Sequence, residues 1–134
     1  MFSFKKMARF SLLLFIITLF SVQNGTAQTT QSDVTVIELT QNPGVFNTID
    51  LNLKPGKYQF RVVNNGVDHE LGFVIQKAED ANGDLMKTAI PESFTTKTVK
   101  SGEAQYTGVV ELKKGEYVYS CPLNPTPHYK ITVK

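Results

Sequence analysis

The chain contains little cysteine and little histidine, and this scarcity limits the chemistry open to it. Its 134 residues include one cysteine, Cys121, and two histidines, His69 and His128. One cysteine excludes a disulfide bond within the chain. Two histidines, without the glycine pattern of a nucleophile elbow, provide no Ser-His-Asp arrangement. We therefore expect no catalytic residues, and we predict that the protein is not an enzyme.

The chain also lacks an apolar run of the roughly 20 residues that a membrane-spanning helix needs. The apolar run over 10–22 is shorter, follows the basic residues Lys5, Lys6 and Arg9, and precedes the small residues 25–27. This order is typical of a secretory signal peptide. We predict a signal peptide over 1–27, cleavage before Gln28, and export to the periplasm or the cell exterior. An uncleaved anchor is the alternative, and the mature chain is expected to contain no membrane span.

Removing the leader also removes the apparent basic character of the chain. Three of the 14 basic residues and none of the 12 acidic residues lie in segment 1–27, which leaves 11 basic against 12 acidic residues. Proteins that bind nucleic acid carry a clustered basic face, so we expect no nucleic-acid partner. The remaining length corresponds to one domain with one hydrophobic core.

After a flexible lead-in over 28–33, the mature chain consists of short β-branched or alternating segments separated by glycine and proline turns. Turns are predicted at 41–44 and 64–66, and the polar segment 77–89 is expected to form a short helix or an irregular excursion. This pattern predicts an all-β Greek-key β-sandwich or barrel of about seven to eight strands over residues 34–134. The main predicted strands are 34–40, 46–53, 58–62, 71–76, 105–112, 115–121 and 129–133, and a further short strand ends near 99–102.

Cys121 ends a predicted strand, and three prolines between residues 122 and 127 restrict the loop that leads to His128. Taken singly, each candidate has a structural interpretation: a small buried cysteine, a histidine at a strand start, and a hydrated loop histidine. Together, one thiolate and two imidazoles form the donor set that binds copper in a trigonal arrangement. We therefore predict one copper ion held by His69, Cys121 and His128. A thiol enzyme is disfavoured, because no oxyanion-hole candidate accompanies the cysteine.

The mature chain resembles the cupredoxins, the small secreted blue-copper proteins. The resemblance rests on segment 55–66, on His69 after it, on segment 115–121 and on the closing strand 131–133. It implies a cupredoxin sandwich in which one histidine comes from the middle of the chain. A cysteine, a second histidine and usually a methionine come from the last loop. It also implies single-electron transfer or copper holding, with a redox partner or a copper donor or acceptor as the partner protein.

The last loop departs from the family pattern. The family usually places its second histidine two to four residues beyond the cysteine, where this chain has Asn124, and no methionine follows Cys121. One alignment treats the loop as extended and keeps His128 as a ligand. The other leaves a degenerate site and predicts a metal-free binding or structural domain. The axial position is either empty or filled by a backbone carbonyl near Asp68, by a glutamine such as Gln59 or Gln105, or by Met86.

Overall fold

The computed structural model of this chain describes residues 33–123 and 126–134. The predicted signal peptide, most of the predicted lead-in, and the loop residues Asn124 and Pro125 therefore lie outside the described residues. The described part contains eight strands in two four-stranded sheets, which confirms the predicted all-β sandwich. The strands are β1 Val34–Asn42, β2 Val45–Phe46, β3 Asp50–Leu53, β4 Gly56–Asn64, β5 Val74–Lys77, β6 Ala104–Leu112, β7 Gly115–Ser120 and β8 Tyr129–Val133.

In the described part of the chain, helical structure is confined to the connection between β5 and β6. A single turn of α-helix, α1, spans Leu85–Thr88, and 3-10 turns span Ala78–Asp80 and Pro91–Ser93. The N-cap of α1 is Asp84, whose carboxylate accepts a hydrogen bond from the backbone N–H of Met86. Within the described part of the chain, no helix is long and apolar enough to cross a membrane.

The first sheet has the strand order β2-β1-β4-β6, and the second has the order β3-β8-β7-β5. Strands β1 and β4 pair in parallel, as do β3 and β8, and the other neighbours are antiparallel. Tyr119 pairs with Tyr129, and Ser120 pairs with Val74. The end of β7, the start of β8 and the start of β5 therefore meet at one end of the sandwich, which we call the loop end.

The core is built from the inward faces of both sheets. In β4 the buried residues alternate with more exposed ones, as expected of a half-buried strand. Strand β7 alternates in the same way up to Tyr119, after which Ser120 is also buried. Aromatic rings connect the two sheets, with centroid separations of 5.1 to 6.3 Å. Such pairs each contribute about 0.5–1.5 kcal/mol beyond their buried area. The rings belong to Phe46, Phe60, Phe73, Tyr119 and Tyr129.

The predicted strand over 46–53 is wrong in one respect, because the chain changes sheets within it. Strand β2 ends at Phe46 in the first sheet, and β3 begins at Asp50 in the second. Asn47 explains the break, since its side-chain oxygen accepts from the N–H of Thr40 at 3.0 Å and its own N–H donates to the carbonyl of Thr40 at 2.8 Å. A side chain therefore replaces the backbone pairing that would have continued β2.

Two other predicted boundaries are also wrong. Strand β1 continues to Asn42, so Gln41 lies in a strand and not in the predicted turn. The strand predicted over 71–76 begins only at Val74, because Leu71 forms an isolated bridge to Val99. That bridge exchanges both backbone hydrogen bonds, Leu71 N to Val99 O at 2.9 Å and Val99 N to Leu71 O at 2.8 Å. The predicted strand near 99–102 is reduced to this bridge.

Candidate functional site

The loop that carries His69 connects β4 to β5 and is anchored by the buried side chain of Asn64. The amide nitrogen of Asn64 donates to the carbonyl of His69 at 3.0 Å and to the carbonyl of Val99 at 3.2 Å. Its amide oxygen accepts from the N–H of Val67 at 2.9 Å. One carboxamide thus forms hydrogen bonds with three backbone groups. Both of its polar atoms are paired, and the bonds hold the loop in one conformation.

Sequence reasoning missed this role, because it interpreted Asn64 only as a turn residue. The alternation of β4 places Asn64 on the same face as Phe60 and Val62, and all three are fully buried. A polar residue at an inward position of a strand must find hydrogen-bond partners inside the protein. That alternation was the available signal.

Cys121 follows the last residue of β7 and is 6% exposed within the hydrophobic core. The backbone N–H of Gly72 donates a hydrogen bond to its Sγ at 3.4 Å. Its own N–H donates to the hydroxyl oxygen of Thr126 at 3.2 Å, which ties the start of the last loop to its later part. The thiol is therefore oriented from two loops and has little access to solvent.

Gly72 has no side chain at the point where the two loops meet. A Cβ built there would lie 3.1 Å from Cγ and 3.3 Å from Cδ of Pro122. These separations are shorter than ordinary van der Waals contact, so the ring of Pro122 occupies space that a side chain would need. The absence of a side chain lets the Gly72 amide approach the sulfur of Cys121.

His69 lies at the surface of the loop end, with its side chain 46% exposed. Its Nδ1 is 3.0 Å from Oδ1 of Asp68. The hydrogen bond to His69, followed by the charge of that ring, holds the pKa of the exposed Asp68 carboxyl below its usual value. When Nδ1 carries the proton and donates to Asp68, the free lone pair of the imidazole is on Nε2. A groove of about 350 Å³ adjoins the ring and is lined by Pro43, Gly44, Gly66, Val67, Asp68 and His69.

His128 is exposed and immediately precedes Tyr129, the first residue of β8. The hydroxyl of Tyr129 accepts a hydrogen bond from the N–H of Phe46 at 3.0 Å, which fixes the start of β8 against β2. The side chain of His128 therefore emerges next to a rigid point at the loop end. Asn124, the residue at the family's usual histidine spacing, is outside the described residues.

The structure brings the loop of His69 and the end of β7 together through the contact between Gly72 and Cys121. Within residues 33–123 and 126–134, no three or more His, Cys, Asp and Glu side chains form a group that could hold a metal ion. The donor types still suit copper, since one thiol and two imidazoles are present at the same end of the fold. The set of His69, Cys121 and His128 stays a prediction.

The suggested axial donors differ in how they are placed. The side chain of Met86 in α1 is 84% exposed. Gln59 alternates with the buried residues of β4, and its amide nitrogen donates to the carbonyl of Thr107 at 2.9 Å. Gln105 lies in β6 opposite Val62 and is partly exposed. None of these three is a buried side chain at the loop end.

Comparison with solved structures identifies proteins of the same architecture. Auracyanin A of Chloroflexus aurantiacus, a "blue" copper protein, is 17% identical and superposes with a TM-score of 0.60 over 75% of this chain and 99% of its own. Auracyanin B is 16% identical, with a TM-score of 0.57 over 75% of this chain and 88% of its own. The dithionite-reduced auracyanin of Roseiflexus castenholzii is 16% identical, with a TM-score of 0.55 over 75% and 97% of the two chains.

No protein-family model matches the chain, and no curated protein sequence matches it. The structural matches are too distant in sequence to carry more than the fold. They agree with the described strands, which form two mixed sheets around one core. The chain has the cupredoxin fold.

Proposed function

We propose that this protein is an exported copper-binding protein that carries single electrons, or holds copper, through a site at the loop end. The observation that carries the proposal is the placement of Cys121: a buried thiol whose sulfur accepts a backbone N–H from the loop that also carries His69. Hydrogen bonds to a cysteine sulfur and hydrophobic surroundings around it tune the redox potential of a blue-copper site. When bound, copper supplies a one-electron couple between Cu(I) and Cu(II).

Three residues of the chain would hold the ion, and each would provide one donor group from a different position. Cys121 would provide the thiolate from within the core. His69 would provide an imidazole from a loop that Asn64 holds to the sheet through the carbonyl of His69. His128 would provide the second imidazole at the exposed side. A rigid ligand set limits the rearrangement between oxidation states, and two of these three positions are fixed by hydrogen bonds to buried groups.

The partner in this proposal is a redox protein, or a protein that donates or accepts copper, docking at the loop end. Among the exposed apolar side chains, Leu123, at 51%, is next to Gly72, and Val45, at 44%, follows the Gly44 that lines the groove at His69. An apolar surface around an exposed histidine suits a short-lived encounter, because little desolvation of charge is needed. Export through the leader over 1–27 would bring the protein to the periplasm or the cell exterior.

A metal-free binding or structural domain is the second candidate. The observation that favours it is that Cys121 packs as a member of the hydrophobic core, which is also how a small structural cysteine behaves. On this interpretation the proline-restricted loop after Cys121 is a recognition surface. Its exposed residues, not the thiol, would then carry the activity.

Copper titration of the purified exported protein separates the two candidates. We expect Cu(II) to produce intense visible absorption from thiolate-to-copper charge transfer, with a stoichiometry of one. Cys121→Ser should abolish the absorption band. His69→Ala and His128→Ala should each weaken copper binding and shift the wavelength of the band. Met86→Leu, at an exposed position, is the matched control and should leave the spectrum unchanged. A colourless wild-type protein without tight copper uptake would leave only the metal-free candidate.

A further inference from the structure

Gln41 is a buried polar side chain that neither the fold nor the proposed ligand set explains. It lies near the end of β1, on the same face as Leu39, and it is completely buried. Neither its side-chain nitrogen nor its side-chain oxygen has a hydrogen-bond partner among the described residues. The described residues contain no other buried side chain with this property.

An unpaired carboxamide in a core is costly, because its two polar atoms lose water and gain nothing in return. Native proteins therefore leave such groups unpaired mainly where a ligand, an ion or an ordered water completes them. A leucine of similar size would fill the same space without this cost. The presence of Gln41 at this position thus points to a bound group.

The neighbours of Gln41 place it between the two loops of the site. In the neighbouring strand β4 it is in register with Asn64, whose carboxamide donates a hydrogen bond to the carbonyl of His69. In the other neighbouring strand, β2, it is in register with Phe46. The N–H of Phe46 donates to the hydroxyl of Tyr129, the residue after His128. Gln41 is therefore in register with one residue bonded to each of the two histidine-bearing segments, and it lies on the inward face of the sheet.

We infer that the side-chain oxygen of Gln41 is a further ligand of the metal ion at the loop end. This inference rests on the proposed copper function and adds a donor to it. A carboxamide oxygen is a neutral, hard donor that can take the axial position of a trigonal copper site.

Gln41 has an advantage over the axial donors that the sequence suggested. Gln59 is on the partly exposed face of β4, and its side chain already donates to the carbonyl of Thr107 in β6. Met86 is largely exposed. Gln41 is inward-facing and buried, and its side chain has no other partner within residues 33–123 and 126–134. A desolvated oxygen donor loses no water when it meets an ion, so its contribution to affinity is not offset by that cost.

The test uses the full-length gene product purified after export, with and without copper, for the wild type, Gln41→Leu and Gln41→Met. Electron paramagnetic resonance of Cu(II) reports the axial donor, and the relative affinities for Cu(II) and Cu(I) report its hardness. We expect Gln41→Leu to weaken Cu(II) affinity on the order of tenfold. We expect Gln41→Met to keep binding but to shift preference toward Cu(I), because a thioether favours the softer ion. Gln59→Leu is the control and should change neither quantity.

The metal-free protein gives the readout that separates a ligand from a structural residue. Gln41→Leu should raise the urea midpoint of the apoprotein while it lowers copper affinity, and these opposite signs support a ligand role. A lower apoprotein midpoint with unchanged resonance would mean that Gln41 serves an internal water, which overturns the inference and leaves the copper function standing. Absence of copper binding by the wild type would overturn the proposed function and, with it, this inference.

Discussion

The backbone N–H of Gly72 donates a hydrogen bond to Sγ of Cys121, and the two residues are 49 positions apart in the chain. This single bond joins the loop between β4 and β5 to the loop between β7 and β8. It is possible only because Gly72 has no side chain where Pro122 packs. The contact decides how the thiol is presented, and it can be tested without any metal.

Gly72→Ala should disturb this contact. The new methyl group would meet Pro122 at 3.1 Å, so the proline ring or the Gly72 backbone must move and the bond to sulfur must lengthen. Overpacking of this kind costs about 1–3 kcal/mol of unfolding free energy. We expect a lower urea midpoint and faster reaction of Cys121 with a thiol reagent.

Gly56→Ala is the matched control, since a Cβ at Gly56 would lie 3.6 Å from the Tyr58 ring, an ordinary contact distance. It should change the reactivity of Cys121 little. Equal thiol reactivity in the Gly72 variant and the wild type would show that the amide of Gly72 does not orient the sulfur.

Asn64→Leu should loosen the loop that carries His69. The substitution leaves the N–H of Val67 and the carbonyl of His69 without their partner, while the carbonyl of Val99 keeps its bond to Leu71. The unsatisfied buried N–H of Val67 costs about 1–3 kcal/mol, and the partly buried carbonyl of His69 adds less. Urea denaturation should report this loss, and hydrogen exchange at the Val67 amide should become faster.

Asn65→Ala provides the comparison for Asn64. Asn65 is exposed, and among the described residues its side chain bonds only to Asn42, at 2.7 Å. We expect this variant to lose less than about 1 kcal/mol. If both variants lose the same free energy, the buried carboxamide of Asn64 does not act as the anchor of the loop.

Tyr119→Phe should alter the dependence of stability on alkaline pH. Burial, and to a lesser extent the nearby Tyr129 and Asp50, raise the pKa of Tyr119 far above its ordinary value of 10.0. The folded protein thus keeps a proton that the unfolded chain releases. This stabilisation is complete below about pH 10 and falls as the pH rises further, at up to about 1.4 kcal/mol per pH unit.

Urea denaturation between pH 8 and pH 11 measures this effect. At neutral pH the variant should lose about 1 kcal/mol, because the hydroxyl no longer donates to the carbonyl of Thr48. Above about pH 10 its stability should fall less steeply than that of the wild type. Tyr106→Phe, at a ring that is 44% exposed, is the control. Parallel pH curves for the wild type and Tyr119→Phe would contradict the prediction.

Cleavage of the leader before Gln28 can be checked by the mass of the exported protein. We expect mass spectrometry to find a chain that begins at Gln28, because the small residues of 25–27 suit signal peptidase. Ala27→Phe should block this cleavage, whereas Gln31→Ala, beyond the cleavage site, should not. Recovery of the intact mass of 14.9 kDa from a membrane fraction would indicate an uncleaved anchor instead.

Periodicity alone was sufficient to predict the sandwich and its strongest strands. Tyr58, Phe60 and Val62 alternate with partly exposed residues in β4, and Tyr117 and Tyr119 do so in β7, as their order in the sequence predicts. This agreement has a local cause, because adjacent residues of any strand point to opposite faces. Cys121, next in the β7 alternation, is buried for the same reason.

The sequence therefore determined that this chain would form a β-sandwich whose single thiol is buried at a strand end. Only the tertiary structure decided which loop meets that thiol, that Asn64 anchors His69, that Asn47 moves the chain from one sheet to the other, and that the buried Gln41 side chain has no hydrogen-bond partner among the described residues. The Gly72–Cys121 contact and the register of Gln41 with β4 join segments far apart in the chain, whereas the bonds from Asn64 to His69 and from Asn47 to Thr40 span only five and seven residues. The local bonds form only where a strand ends, and strand ends are set by the pairing between strands. Such pairings arise from sheet assignment and loop closure, for which a local pattern contains no information.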